Sequence, residues 1–139
     1  MRYNIRDMAI FLSHSPEETK SFAAQYAKTL RPGDVVLLEG EMGAGKTAFA
    51  QGVARGLGIK EDVLSPTYAY VNSYEPMFHF DCYRIESERQ AEELGFFDYF
   101  DAGKICLIEW SENIAGLLPA DCKKVVIRKV NEEEREIVT

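Results

Sequence analysis

Val35-Val36-Leu37-Leu38-Glu39-Gly40-Glu41-Met42-Gly43-Ala44-Gly45-Lys46-Thr47 joins an uninterrupted apolar run to a complete G-x-x-x-x-G-K-[ST] pattern. The run Val35-Val36-Leu37-Leu38 reads as a strand buried on both faces. The glycines let successive backbone N–H groups turn inward around phosphate oxygens with no Cβ in the way. Lys46 is placed to reach β- and γ-phosphates, and the Thr47 hydroxyl to sit on Mg²⁺. Residues 46 to 57 carry Phe49, Val53 and Leu57 at spacings of four and predict a helix. Its N-terminus points at the phosphates, where the macrodipole favours negative charge. Strand, loop and helix together predict a bound nucleoside triphosphate, ATP or GTP.

Working outward, 139 residues predict one domain spanning 1–139, long enough for a core without staples. A hydrophobic content of 46% and a charged content of 28% place the chain among globular proteins. The net charge of −7 argues against a free-standing nucleic-acid binder, which usually carries a basic face. Cys82, Cys106 and Cys122 form no C-x-x-C pair and read as reduced residues, not a disulfide framework. The apolar run at residues 8 to 12 is too short for a signal-peptide core or a membrane span. The expectation is a cytoplasmic protein with no membrane association.

Residues 8 to 12 read as a first strand. Ser15-Pro16-Glu17-Glu18 reads as a helix start, with Ser15 as N-cap, Pro16 at N1 and Glu18 closing a capping box. That helix carries Phe22, Tyr26 and Leu30 on one face and stops at Arg31-Pro32-Gly33; Gly56 and Gly58 end the next one. Residues 68–74 and 77–83 alternate as strands around Glu75-Pro76, which predicts an antiparallel hairpin. Residues 88–94 form a short helix, 96–100 an aromatic cluster, and 104–109 a second strongly buried strand. Residues 124–130 and 135–138 close the chain as a hairpin. The order predicts an α/β fold of the P-loop type: a mostly parallel central sheet, antiparallel edge strands and flanking helices.

A phosphate loop needs a second protein anchor for Mg²⁺, usually an acidic residue ending a buried strand beside it. Ile105-Cys106-Leu107-Ile108-Glu109 fits, and Glu109 is the first choice; the alternative is a glutamate ending its strand in solvent. In His79-Phe80-Asp81-Cys82-Tyr83-Arg84, alternation puts Asp81 and Tyr83 on one face if Phe80 and Cys82 face the core. Asp81 can orient an attacking water or hold a metal-bound one. Arg84 can neutralise phosphoryl charge or simply pair with Asp81. His79 reads as a packed strand residue and is left out of catalysis. Ser65-Pro66-Thr67-Tyr68 reads as a loop that senses the γ-phosphate, with Thr67 offering its hydroxyl; the alternative is an ordinary strand-entry turn. Trp110 reads as packing, close to the nucleotide if Glu109 is. No Asn-Lys-x-Asp tetrapeptide is present to read guanine, so ATP is favoured over GTP.

Taken in chain order, these segments resemble one family, the bacterial tRNA threonylcarbamoyladenosine biosynthesis ATPases of the TsaE (YjeE) type. The matching segments are residues 40–47, Ser65-Pro66-Thr67-Tyr68, His79-Phe80-Asp81-Cys82-Tyr83-Arg84 and Ile105-Cys106-Leu107-Ile108-Glu109-Trp110. Glu92-Glu93-Leu94-Gly95 and Asp98-Tyr99-Phe100 also resemble the family, and the likeness covers roughly residues 10 to 130. Cys82 stands where leucine is usual and Ala69 where threonine is common, both small changes.

The resemblance implies a small Mg²⁺-dependent ATPase, weak alone, that works with a TsaB–TsaD heterodimer. That system places a threonylcarbamoyl group on the adenosine beside the anticodon of tRNAs reading codons that begin with A. The transfer chemistry belongs to TsaD, and ATP hydrolysis resets the assembly between cycles, so tRNA is met only through partners. By family pattern Lys46 serves the phosphates, Thr47 and Glu109 hold Mg²⁺, and Asp81 holds a water or the metal shell. Nucleotide contacts would run through Gly40, Glu41, Met42, Gly43, Ala44, Gly45, Lys46, Thr47 and Ala48, with Thr67 and Trp110 nearby and Ser15 beside the adenine. Two other readings stay open, a small-molecule kinase and an ATP-sensing module that never turns ATP over. Against the kinase, no insertion between Thr47 and Glu109 looks like a lid, and only Arg84 and Arg89 follow Arg55 in that interval.

Overall fold

The computed structural model describes residues 2–5, 8–64 and 70–139. The strands are β1 (Arg2–Ile5), β2 (Met8–Ser13), β3 (Val35–Glu39), β4 (Val71–Tyr74), β5 (Met77–Asp81), β6 (Ile105–Glu109), β7 (Lys123–Lys129) and β8 (Arg135–Val138). They form one sheet in the order β1-β2-β8-β7-β3-β6-β5-β4. The four central strands β7, β3, β6 and β5 run parallel. The outer strands are added antiparallel. This is the α/β arrangement expected from the sequence, with β1 as a further edge strand that the sequence reading did not anticipate.

Alternation along the buried strands splits the core in two. Val36 and Leu38 face helices α1 (Pro16–Ala27) and α2 (Lys46–Gly56), together with Phe22, Phe49, Val53 and Leu107. Val35 and Leu37 face α3 (Glu88–Glu93), α4 (Phe96–Phe100) and a 3₁₀ segment, Ser111–Leu117. Phe49 and Val53 are fully buried one helical turn apart, each contributing about 1.5–3 kcal/mol relative to exposure.

Several local expectations change. Ser15 does cap α1, its hydroxyl accepting from Glu18 N–H at 3.1 Å, but the Glu18 carboxylate takes the N–H of His14 at 2.9 Å instead of closing the box. The helix ends at Ala27, so Leu30 packs against the core from the following turn. Gly58, with φ +81°, follows the end of α2; Gly56 lies inside it, where a Cβ would sit 2.8 Å from that of Ala27. β4 begins only at Val71, because Tyr70 takes a left-handed φ of 60°. β5 stops at Asp81, and the aromatic residues 96–100 coil into α4, where Phe96 and Phe100 pack on Phe80. Ser65-Pro66-Thr67-Tyr68 lies outside the described residues, so the expectations for that loop and for Thr67 have no structural counterpart here.

Candidate active site

Three parallel strands deliver the site. Register pairs Leu38 of β3 with Glu109 of β6, and Glu109 with Asp81 of β5. All three therefore end at the carboxyl edge of the sheet, where ligands of open α/β folds bind. Period two places His79, Asp81, Leu107 and Glu109 on the face that carries α2. The loop from β3 to α2 crosses the same edge, and Met42, Gly43, Gly45, Lys46, Thr47, Asp81, Glu109 and Trp110 line one cleft of about 370 Å³.

Lys46 is buried at the start of α2, its ammonium 4.2 Å from the centre of the Trp110 ring. Trp110 holds a left-handed φ of 56° at the end of β6, and its ring also meets Tyr83, with centroids 4.9 Å apart. Glu109 is only 4% exposed, which removes the reading of a strand end in solvent. One of its carboxylate oxygens lies 2.7 Å from Nε2 of the fully buried His79. Asp81 accepts the Tyr83 N–H at 3.0 Å and donates its own N–H to the Tyr70 carbonyl at 2.8 Å. Burial, seconded by the nearby Glu109 charge, raises the Asp81 carboxyl above the ordinary carboxylate range, against the pull of Tyr83 N–H, His79 and Lys46. Arg84 is exposed and, among the described residues, forms no ion pair with Asp81.

The phosphate loop is shaped from outside by Arg135, a residue the sequence reading did not single out. Its guanidinium donates to the carbonyls of Ala44 at 3.0 Å and Gly43 at 3.2 Å, and also to Asn131 at 2.8 Å and Glu134 at 3.0 Å. Because C=O and N–H oppose each other across a trans peptide, tying the Ala44 carbonyl to Arg135 turns the Gly45 N–H away from that guanidinium. Gly43 and Gly45 have φ of +79° and +104°, conformations that glycine alone adopts readily. Gly40 is required for a different reason: a Cβ there would stand 2.8 Å from the Ile127 carbonyl of β7.

A second pocket of about 340 Å³ opens on the other side of Gly45, lined by His14, Ser15, Pro16, Thr19, Ala48, Glu132, Glu133 and Arg135. The structure thus brings Ser15 and Ala48 beside Gly45 of the loop. It adds the turn between β7 and β8, which reaches the site only because β8 returns beside β2. Glu41 contributes its carbonyl, which accepts the Ala44 N–H at 3.1 Å, and Met42 projects outward, 67% exposed.

No group of three or more His, Cys, Asp or Glu side chains forms a metal cage among the described residues. Mg²⁺ on a phosphate loop takes one or two carboxylates and completes its shell with phosphate and water. The donor set fits: Thr47 and Glu109 share a cleft with Lys46, and left-handed glycines leave room for phosphate oxygens against the backbone.

Comparison with known proteins follows the same lines. The family model described as "Threonylcarbamoyl adenosine biosynthesis protein TsaE" matches residues 13–137. The tRNA threonylcarbamoyladenosine biosynthesis protein TsaE of Bacillus subtilis is 44% identical over 127 residues, covering 88% of this chain and 79% of that protein. The protein of the same name from Treponema pallidum is 33% identical over 129 residues, covering 91% and 96%. The crystal structure of Bacillus subtilis YdiB superposes with a TM-score of 0.81 at 36% identity, covering 99% of this chain and 85% of that one. With a full phosphate loop on a sheet of this topology, and likeness along nearly its whole length, the chain belongs to the TsaE family of threonylcarbamoyl adenosine biosynthesis proteins.

Proposed function

We propose that this chain is a Mg²⁺-dependent ATPase that serves tRNA threonylcarbamoyladenosine formation in the cytoplasm by binding a TsaB–TsaD complex and resetting it between cycles. The observation that carries the reading is the cleft at the sheet's carboxyl edge, where Lys46, Thr47, Asp81, Glu109 and Trp110 converge on the glycine loop. Bound Mg²⁺ would supply charge neutralisation between β- and γ-phosphates. Lys46 would bind those phosphates, held in place by the Trp110 ring, and Thr47 and Glu109 would hold the metal. Asp81, half-buried and fixed by the Tyr83 N–H, would accept a hydrogen bond from the attacking water. The pocket at Ser15, Gly45 and Ala48 would take the nucleoside half.

Two substitutions test this. Lys46→Ala should weaken ATP affinity in calorimetric titration, because the loop loses its positive charge against the phosphates. Glu109→Ala should leave ATP bound but cut turnover across a Mg²⁺ titration. Unchanged affinity in the first, or parent-like turnover in the second, would contradict the assignment.

A further inference from the structure

His79 is a fully buried imidazole whose ring has one polar partner among the described residues. Its Nε2 lies 2.7 Å from a Glu109 carboxylate oxygen, and Nδ1 has no hydrogen-bond partner among the described residues. A carboxylate only accepts, so Nε2 is the donor. Burying a ring nitrogen without a partner is unfavourable, and an apolar side chain at the centre of a parallel sheet would avoid it. Met77 and Phe78, its neighbours on β5, show that the strand otherwise follows that rule. The contact with Glu109 is what a histidine gains at this position. Geometry explains how it is made: His79 stands opposite Leu107 in the β5–β6 register, one step before Glu109 on the same face. The glutamate side chain leans back across that step, so one oxygen is anchored on His79 while the residue still lines the cleft.

We infer that His79 is a positioning residue for Glu109: by holding one carboxylate oxygen through Nε2, it presents the other to the divalent cation beside Thr47. The inference rests on the reading of Glu109 as a metal ligand. Outer partners of metal ligands commonly carry roughly 10–100-fold of metal affinity or activity. A carboxylate freed from His79 can turn away from the cation, and the site would lose a metal ligand.

The test compares three substitutions in the full chain bound to ADP, with Mn²⁺ affinity read by electron paramagnetic resonance and metal-free ADP affinity by calorimetry. His79→Gln keeps a donor where Nε2 stands. His79→Asn withdraws it, and His79→Met fills the volume without any N–H, which covers the case that the smaller side chain fails to fold. Mn²⁺ affinity should fall roughly tenfold or more in the Asn and Met variants and return most of the way in the Gln variant. Metal-free ADP affinity should stay level throughout. Parent-like Mn²⁺ affinity in the Asn and Met variants overturns the inference, as does equal loss in all three. Glu109→Gln separates the layers: if it weakens Mn²⁺ while the His79 variants do not, only the positioning role falls. If Glu109→Gln changes nothing, the metal reading of Glu109 falls with it.

Discussion

Arg135 ties the outer carbonyls of Gly43 and Ala44 to the turn between β7 and β8 through a single guanidinium. A planar fork of five N–H donors suits several fixed carbonyls at once, which a lysine ammonium cannot match. Arg135→Lys should therefore raise the Kd for ATP by about tenfold, equivalent to about 1.4 kcal/mol. Calorimetry on the variant checks this; an unchanged Kd would mean the loop holds its shape without the clamp. Lys46, Thr47 and Glu109 were legible in the sequence because each belongs to a local pattern, a loop signature or a buried strand with an acidic end. Arg135 was not, because the carbonyl it holds lies 91 positions away. His79 is the packed strand residue that the sequence predicts, but its partner Glu109 sits 30 positions further on, and only the parallel pairing of β5 with β6 brings them together.

Elements with strong periodicity, such as β3, α2 and β6, stand within a residue or two of where the sequence puts them. Those that depend on tertiary packing do not. Residues 96–100 read as a bare aromatic cluster, yet they form a helical turn because Phe96, Tyr99 and Phe100 all close on Phe80. The capping box failed at Glu18 because His14 offers that carboxylate both a backbone N–H and a ring nitrogen, at 2.9 and 3.0 Å. Gly56 looked like a helix stop and is instead a contact point between helices. With Gly52 one turn earlier, it lets α2 lie directly against the backbone of α1. A Cβ at Gly52 would overlap the Lys20 carbonyl and stand 2.6 Å from Ala23 Cβ. Gly52→Ala should destabilise the fold by about 1–3 kcal/mol through overpacking, although alanine is the better helix former. Urea unfolding measures it; a gain in stability would show that the helices can separate without penalty. Because α2 begins at Lys46, a shift of this helix pair would also move the phosphate site.

For the molecule as a whole, a net charge of −7 makes direct capture of tRNA unfavourable, so coupling to tRNA should pass through other subunits. No helix among the described residues is long and apolar enough to cross a membrane. Among the described residues, Lys46 is the one cation lining the cleft, and Arg84 stands exposed and unpaired with Asp81. Phosphate-loop sites short of a supplied cation hydrolyse slowly until a partner completes them, an effect of roughly 10³–10⁵-fold in GTPases. The proposed ATPase would on this ground idle alone and work in an assembly. The most direct measurement is threonylcarbamoylation of tRNA over many cycles by TsaB–TsaD and its threonylcarbamoyl-adenylate donor, with this chain, without it, and with Glu109→Ala in its place. The account predicts continued cycles only with the parent chain and ATP, and arrest after the first cycle in the other two. Equal multiple turnover in all three would contradict it.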